Sequence, residues 1–495
     1  LATMDTNDAR AVTLSRDGRT IMLIRKQGRW AFDEGASGRV DHDAVESLVS
    51  TISLASIESF VADNPDDLSA YGLADPAAVL TVTTDDATHT LRVGEARDLA
   101  GEQVFAMLDD APVVFTLARK QVDQLNRSVN DLRDRKITNV ARSDIREITL
   151  QRTGSEDLHF VLNEGVWSLD AAGFDVELAV VSDLIDQLVN ARADSYRDSF
   201  PDDLVATVRL AVAGESEDEV IRVARGEAAD ELLVRRGDES VTYVVKAAML
   251  TRLFGDKIAF RDRTVIDLPA TELSSIHISK PSGERTISRD ETGDWQLDGL
   301  DRTLFDNLLM RISRLSAKTW VDREPIKPDV TITLTLRDGK TRVVNLVPES
   351  LLGWTEAGVF ELPAAVMDAF TADLRDRTVI QWSPTDIDAI DLGGITVERY
   401  NQTRYRRADG EMIDEEAAGQ LFDQLAGLRA TAFIEPGTTR FDANQPTMSL
   451  AIQADTSTTR LARWSIQATD RNETIWRVDE GPLFTIEAET VNRIT

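Results

Sequence analysis

The sequence contains no cysteine among its 495 residues, which excludes disulfides, thiolate zinc sites and cysteine nucleophiles. The redox compartment stays open, because an exported protein can also lack cysteine. No apolar run reaches the ~20 residues that a membrane-spanning helix needs. The first eight residues hold no signal segment, and we interpret them as the stub left after a segment was removed.

Positive charge is scarce. The 55 Lys and Arg residues face 86 Asp and Glu residues, for a formal net charge of −31. Nucleic acid and anionic lipid both need phosphate-neutralising cations, so neither is an expected partner. A solvated acidic surface is the favoured interpretation, and a halophilic habitat or a basic partner stays open. The hydrophobic fraction of 42% is that of a globular protein, and the length predicts three or four domains.

The chain repeats itself. Three Arg-Asp-Arg triplets follow a helical pattern, and each precedes by the same interval a segment in which apolar and polar residues alternate. The triplets are Arg133, Asp134 and Arg135; Arg261, Asp262 and Arg263; and Arg375, Asp376 and Arg377. The alternating segments begin at Asp144, Glu272 and Asp386, and a fourth copy begins at Asp8. A recurrence at constant register predicts tandem copies of one structural unit.

Each copy contains an aromatic residue after a charged hairpin, then a helical pattern, then a second aromatic residue. The first rings are Trp30, Trp167 and Trp295, with Tyr405 a weaker match in the fourth copy, and the second rings are Phe60, Tyr196, Trp320 and Phe433. We expect the three tryptophans and the four second rings in the cores of their units. The helical stripes are Val45, Leu48, Val49 and Ile52; Val181, Leu184, Ile185 and Leu188; Phe305, Leu308, Leu309 and Ile312; and Leu421, Phe422, Leu425 and Leu428.

The order strands, helix, strands, helix predicts an α+β fold. We expect four tandem repeats, each with mainly antiparallel strands and two helices, forming an elongated array. The predicted units are residues 1–140, 141–267, 268–382 and 383–495. Aligning the fourth copy with the third places the next triplet beyond Thr495, so either the last helix is cut short or more sequence follows.

The triplets are predicted to be structural junctions. An arginine near a helix end can bind terminal carbonyls, and an aspartate can hold neighbouring arginines. Three evenly spaced copies are unusual for a catalytic site. We therefore expect the three aspartates to be largely buried and to accept hydrogen bonds from arginine or from backbone N–H groups.

No catalytic, metal or cofactor site is predicted. His42, His89, His159 and His277 occupy non-equivalent positions without ligand spacing, so structural or surface roles are expected. The acidic segment 63–67 lacks the order of a calcium loop and is interpreted as a capped loop. Glycine-rich phosphate loops and nucleophile elbows are absent from the sequence.

These landmarks resemble a known bacterial family. Trp30, Phe60, the segment Tyr71-Gly72-Leu73-Ala74-Asp75-Pro76 and the first triplet are similar to the family catalogued as domain of unknown function 4340. The similarity is clearest over residues 8–140. The resemblance implies a protein held at the outer face of the cytoplasmic membrane by an N-terminal segment. It also implies genes that lie beside ABC transporter components of the gliding-motility type, and it brings no catalytic residues.

The expected function is therefore a non-catalytic, periplasmic or extracytoplasmic scaffold or accessory protein of an ABC-type transport system. Its expected partners are proteins, above all membrane transporter subunits, with no cofactor. Two other classes stay open: a surface-layer or filament-forming repeat protein, and a hydrolase that uses buried carboxylates.

Overall fold

The structure, a computed structural model, describes residues 4–380, 382–401, 404–434, 446–454, 457–467 and 472–486. The chain divides into two compact units, Leu1–Asp262 and Arg263–Thr495. Each unit contains two large antiparallel sheets. We call each large sheet, together with the helices that follow its strands in the chain, a module and number the modules 1 to 4 in chain order.

Module 1 has eight strands and one long helix. In chain order its elements are β1 (Ala9–Arg16), β2 (Arg19–Lys26), β3 (Arg29–Phe32), α1 (His42–Leu54), β4 (Ile57–Asp63), β5 (Ala78–Thr84), β6 (Thr88–Ala96), β7 (Gln103–Leu108), β8 (Val113–Ala118) and the short α2 (Arg119–Val122). The 3-10 turns are Thr6–Asp8, Ser69–Tyr71, Asp123–Asn126 and Val129–Leu132.

Module 2 repeats this order. Its elements are β9 (Ile145–Arg152), β10 (Leu158–Asn163), β11 (Val166–Leu169), α3 (Leu178–Asn190), β12 (Ser195–Arg197), β13 (Leu204–Val212), β14 (Glu219–Arg225), β15 (Glu231–Arg236) and β16 (Thr242–Lys246). The 3-10 turns are Arg142–Asp144, Ala247–Phe254 and Lys257–Phe260.

The second compact unit begins with a short strand, β17 (Thr264–Asp267), which pairs with β20 outside the large sheets. Module 3 consists of β18 (Leu273–Lys280), β19 (Gly283–Ser288), α4 (Arg302–Ser313), β20 (Arg314–Ser316), β21 (Thr319–Val321), β22 (Val330–Leu336), β23 (Thr341–Val347), β24 (Leu352–Thr355), β25 (Gly358–Glu361) and α5 (Ala364–Thr371). The 3-10 turns are Ala270–Glu272 and Pro348–Ser350.

Module 4 closes the described chain. Its elements are β26 (Ala389–Asp391), β27 (Thr396–Arg399), β28 (Tyr405–Arg407), α6 (Glu415–Ala426), β29 (Ala432–Ile434), β30 (Met448–Ala454), β31 (Ser457–Gln467), β32 (Asn472–Val478) and β33 (Leu483–Thr485). One 3-10 turn, Pro384–Asp386, precedes them. The helix predicted at the end of this copy lies outside the described residues.

The modules share one strand order. The sheet of module 1 runs β3-β2-β1-β5-β6-β7-β8-β4, and the sheets of modules 2 and 4 have the same order. The long helix therefore connects the third strand, at one edge, with the fourth strand, at the opposite edge. Module 3 has seven strands in its sheet, because Trp295 makes only an isolated bridge to Arg289 where a third strand would lie.

The long helices cover one face of each sheet. Val45, Leu48, Val49 and Ile52 of α1 are all buried in the core of module 1, and Val181, Leu184, Ile185 and Leu188 of α3 are buried in that of module 2. Both helical stripes are confirmed. The buried stripe explains why these segments are helical, since packing of an apolar face provides most of a helix's stability in a folded protein.

The α+β expectation with two helices in each repeat is wrong. The structure is mostly β, with 43% strand and 22% helix. In module 1 the expected second helix is a single α-turn, α2, followed by a 3-10 turn, and in module 2 it is the 3-10 segment Ala247–Phe254. The apolar anchors Val122 and Leu125, like Leu250 and Leu253, are three residues apart and buried. That spacing fits the 3-10 period, and so short a segment does not offset the cost of nucleating an α-helix.

The strands of each large sheet come from within one of the four predicted ranges. The small β17–β20 sheet differs, because it pairs Thr264–Asp267, ahead of the predicted boundary at 267/268, with a strand behind it. Among the residues that the structure describes, none of the helices combines the length and the apolar character that a bilayer crossing demands.

Candidate functional site

The first triplet lies in an extended segment between modules 1 and 2. Its main chain forms a ladder, first with the residues before α1 and then with the residues after α3. Four hydrogen bonds form this ladder. The N–H groups of Asp41 and Asp134 donate to the carbonyls of Leu132 (2.9 Å) and Arg39 (2.9 Å). Those of Ile137 and Ala193 donate to the carbonyls of Ala191 (3.4 Å) and Arg135 (2.7 Å). The segment 132–137 therefore joins the two modules through backbone pairing.

The third triplet does the same between modules 3 and 4. The N–H groups of Asp301 and Asp376 donate to the carbonyls of Leu374 (2.8 Å) and Gly299 (2.9 Å), and those of Val379 and Ala430 donate to Leu428 (3.0 Å) and Arg377 (2.8 Å). Each partner occupies the position that its counterpart has at the first triplet.

The second triplet lies at the division between the two compact units. In the first unit, the N–H of Asp262 donates to the carbonyl of Asp175 at 2.8 Å. In the second unit, the N–H of Ala317 donates to the carbonyl of Arg263 at 2.7 Å. Both bonds have counterparts at the other two triplets, so one pattern of pairing recurs at all three.

The aspartates stabilise their own turns. Asp134 Oδ1 accepts the N–H of Lys136 at 3.0 Å, and Asp376 Oδ1 accepts the N–H of Thr378 at 2.9 Å. The Asp134 side chain is 17% exposed and lies 3.6 Å from Arg39 Nη1. Asp134, Asp262 and Asp376 are all partly buried.

In the first and third triplets the first arginine stacks on the second aromatic residue of the following copy, whereas Arg261 of the second triplet lies over Phe174, with Cζ 5.4 Å from the ring centroid. The Arg133 Cζ lies 5.2 Å from the centroid of the Tyr196 ring, and the Arg375 Cζ lies 4.5 Å from that of Phe433. Asp373 binds Arg375 at 2.6 Å and orients it. A guanidinium over an aromatic face is attracted by the ring quadrupole, and the contact strengthens as water is excluded.

Arg39 connects modules 1 and 2 at a second point. Its guanidinium lies 3.3 Å from Glu239, donates to the carbonyl of Lys136, and lies with Cζ 5.9 Å from the Tyr243 ring centroid. The Tyr243 hydroxyl donates to Glu239 at 2.9 Å, and burial raises the pKa of this phenol. Gly38 has φ +97°, and a Cβ there would lie 2.9 Å from Val241 Cγ2. Other residue types occupy the positions of Arg39 and Gly38 in the second and third copies, so a search for repeats does not find them.

The aromatic landmarks occupy different environments. Trp30 and Trp320 are buried, while Trp167, Trp295, Tyr196 and Phe433 are partly buried. Trp30 Nε1 donates to Glu46 at 2.8 Å beneath the Arg25 guanidinium. Phe60, which was expected in the core, is instead 70% exposed. The landmarks are therefore not one uniform set of core rings.

The four histidines lie apart with separate partners. His159 has two carboxylate partners: its Nδ1 lies 2.8 Å from Asp170, and its Nε2 lies 3.0 Å from Glu147. Burial lowers the pKa of His159, but hydrogen bonds to the two carboxylates outweigh it, so the net pKa is raised. Within the described ranges, no three His, Asp or Glu side chains are grouped so that they could hold a metal ion.

The acidic loop after β4 is capped by its own side chains. Asp67 Oδ1 accepts the N–H of Ser69 at 2.8 Å and starts the 3-10 turn Ser69–Tyr71. Gly72 ends this turn with φ +64°, where a Cβ would approach the Glu95 N–H nitrogen to 2.8 Å. The Tyr71 ring packs edge-on against Phe105 at 5.2 Å. This geometry accounts for glycine after the tyrosine.

The fold and its contacts define a class: a mostly β protein in which the two modules of each compact unit are joined by a backbone ladder and an arginine–aromatic stack. Residues 30–211 match the model of the family described as Domain of unknown function (DUF4340), which confirms the resemblance found in the sequence. The match runs from the first tryptophan of module 1 to β13 of module 2. No curated protein and no solved structure gives a match.

Proposed function

We propose that this protein is a non-catalytic, envelope-facing scaffold that binds protein partners and serves as an accessory subunit of an ABC-type transport system. One observation carries the proposal: the first and third triplets are engaged in joining the two modules of each compact unit. At the junction of modules 1 and 2, arginine, aspartate and tyrosine side chains are engaged in ring contacts, hydrogen bonds and ion pairs. A pair of sheets joined in this way suits the presentation of a continuous surface to other proteins.

The net charge of −31 supports a surface that selects its partners electrostatically. The turn between β13 and β14 is one such element, because Glu215, Glu217 and Asp218 are all exposed. Glu219 follows them and binds Arg236 at 2.6 Å, which fixes the base of the turn. The three outer carboxylates are therefore free to meet a basic partner without breaking a module contact.

The transport role and the extracytoplasmic location rest on the family resemblance. The resemblance implies a protein held at the outer face of the cytoplasmic membrane by an N-terminal segment and encoded beside ABC transporter components. An acidic chain fits that setting as a protein-binding subunit, since it does not bind anionic headgroups through its own charge.

The test is chemical cross-linking of the tagged full chain in envelopes of its source bacterium, followed by quantitative mass spectrometry. We expect ABC transporter subunits to be enriched at least tenfold over an untagged strain. The triple variant Glu215→Lys, Glu217→Lys and Asp218→Lys should lower this enrichment. Glu215→Asp, Glu217→Asp and Asp218→Glu keep the charge and should preserve it. Absence of transporter subunits from the cross-linked set would refute the transport role.

A further inference from the structure

A cleft of about 760 Å³ lies where module 1 meets module 2. Its lining comes from Arg29 at the start of β3, from the segment 139–141 between the modules, and from the turns that follow β13 and β15. Three arginines line it, Arg29, Arg222 and Arg236, against six carboxylates, which are Asp144, Glu215, Glu217, Asp218, Glu219 and Asp238. A cleft with an excess of one sign of charge attracts ligands of the opposite sign.

Glu219 differs from the other carboxylates of this cleft because its side chain is buried. The side chain of Glu219 is only 9% exposed, whereas that of Asp238 is fully exposed. Its Oε2 accepts a hydrogen bond from Arg236 Nη2 at 2.6 Å. Its Oε1 is buried as well, and no donor among the described residues reaches it. A buried acceptor that has lost water and gained no donor costs free energy, so a ligand that brings a donor to Oε1 is bound favourably.

The repeating fold does not require a carboxylate at this position. Glu219 lies two residues before Ile221, which is fully buried in the core of module 2. Strand register makes Leu91 and Val344 the equivalent buried residues of modules 1 and 3. The residues two places before them are His89 and Arg342, so of these three modules only module 2 has an acid here. The buried carboxylate therefore belongs to this cleft and not to the shared framework.

The cleft favours a long basic side chain as its ligand. Across the part of the chain that the structure describes, no three acidic or histidine side chains are grouped closely enough for a metal ion. The flexible four-carbon stem of a lysine can pass the exposed carboxylates and bring its ammonium to Glu219. Arginine binds a carboxylate best through both oxygens, but Arg236 already occupies Oε2. A single free oxygen therefore suits an ammonium group.

We propose that this cleft binds a lysine side chain of a partner protein, whose ammonium donates to Glu219 Oε1. The exposed carboxylates Glu215, Glu217 and Asp218 attract the basic partner, and Glu219 holds its lysine. The inference rests on the protein-binding part of the proposed function, because it specifies the basic group that the acidic surface selects. It does not depend on the transport role.

The experiment uses a fluorescein-labelled, C-terminally amidated peptide in which lysine alternates with serine, titrated with the full chain and followed by anisotropy. We expect saturable binding that Glu219→Gln weakens at least tenfold. Asp238→Asn removes the same charge from the exposed part of the cleft and should weaken binding less than threefold, since solvent screens an exposed charge. Asp110→Asn, at a fully exposed carboxylate outside the cleft, is the matched control and should leave binding unchanged.

The peptide itself can be varied to test the chemistry of the ligand. Acetylation of its lysines should abolish binding, because the ammonium charge is removed. Replacement of the lysines by arginine should weaken binding at least threefold. Equal or tighter binding of the arginine peptide would overturn the assignment of lysine. Tighter binding of free spermidine than of the lysine peptide would also overturn the proposal, because the occupant would then be a small polyamine.

A measurement on the parent chain keeps the proposal testable if Glu219→Gln fails to fold. The lysine peptide should slow amide hydrogen exchange in residues 213–222 at least threefold, and unchanged exchange there would overturn the proposal. Equal loss of binding in Glu219→Gln and Asp238→Asn would do the same, because the attraction would then be diffuse. Absence of transporter subunits from the cross-linked set would refute the transport role and leave all of these results unchanged.

Discussion

The guanidinium of Arg133 lies with its Cζ 5.2 Å from the centroid of the Tyr196 ring, although the two residues are 63 positions apart and belong to different modules. The Tyr196 hydroxyl in turn donates to the Arg133 carbonyl at 3.3 Å. The same pair thus contributes a cation–π contact and a hydrogen bond across one junction. Their geometry makes the stability of modules 1 and 2 interdependent, and the first two predictions follow from it.

Alkaline pH should weaken the junction at Tyr196. Burial disfavours the tyrosinate and raises the pKa of Tyr196 to about 12, whereas the unfolded chain ionises near the ordinary value of 10.0. The stability that the protonated phenol supplies is fully present below pH 10 and is lost as the pH rises through about 12. Urea denaturation at pH 9 and pH 11 should show a loss of stability that is smaller in Tyr196→Phe.

At pH 7 the Tyr196→Phe variant should lose only its hydrogen bond, about 0.5–1.5 kcal/mol. The prediction fails if the parent chain and this variant lose the same stability between the two pH values.

Asp134→Ala should loosen the ladder between modules 1 and 2. The change removes the acceptor for the Lys136 N–H and the carboxylate beside Arg39. Amide hydrogen exchange in residues 132–138 should accelerate at least tenfold, which corresponds to about 1.4 kcal/mol for a local opening. Asp238→Ala, at an exposed carboxylate 4.0 Å from Arg222, is the control and should leave exchange in this segment unchanged. Equal exchange in both variants would show that Asp134 does not hold the ladder.

Truncation of the two aromatic landmarks of module 1 should change the stability of the protein by very different amounts. Trp30 is buried and donates to Glu46, so Trp30→Ala should cost about 3–5 kcal/mol through lost packing and a cavity. Phe60→Ala should change stability by no more than about 0.5 kcal/mol, since its ring is 70% exposed. Thermal unfolding of the two variants measures both effects. A loss of stability for Phe60→Ala well above about 0.5 kcal/mol would contradict the placement of this ring at the surface.

His159 should keep its proton to higher pH than a free histidine. Burial lowers its pKa, but the hydrogen bonds with Asp170 and Glu147 raise it by more. The stability from this charged form is fully present below the unfolded pKa of about 6.5 and is lost as pH rises through the folded value. NMR titration of the imidazole protons should show a raised pKa that Asp170→Asn and Glu147→Gln each lower.

Glu284→Gln, next to His277, serves as the control and should not affect the titration of His159. A pKa of His159 at or below 6.5 in the parent chain would refute this prediction.

Periodicity alone was enough to predict the long helices and the burial of the α1 stripe. A stripe such as Val45, Leu48, Val49 and Ile52 reports the face that packs on a sheet, whatever the sheet's strand order is. The triplets could also be recognised in the sequence, because Arg-Asp-Arg recurs three times. The second helices predicted in modules 1 and 2 were wrong, since an apolar spacing of three over one turn suits a 3-10 turn as well as an α-helix, whereas the second helix of module 3 is present as α5.

Arg39 and Glu239 were missed for a different reason. Neither residue recurs at the equivalent position of another copy, so comparing the copies does not reveal it. The two residues are 200 positions apart in the chain, although their side chains lie 3.3 Å apart. Phe60 was misjudged because aligned positions need not be covered in the same way. Its counterpart Phe433 is covered by Arg375, which another segment supplies.

The sequence by itself determined the repeating pattern of strands and long helices, because alternation and helical spacing are local properties that each segment carries. It also determined the acidic charge and the family resemblance. Only the tertiary structure decided that the triplets pair as backbone ladders, that Arg39 joins Glu239, and that Phe60 faces solvent. Those outcomes depend on which distant segment lies beside each residue, and that proximity is set by the packing of whole modules.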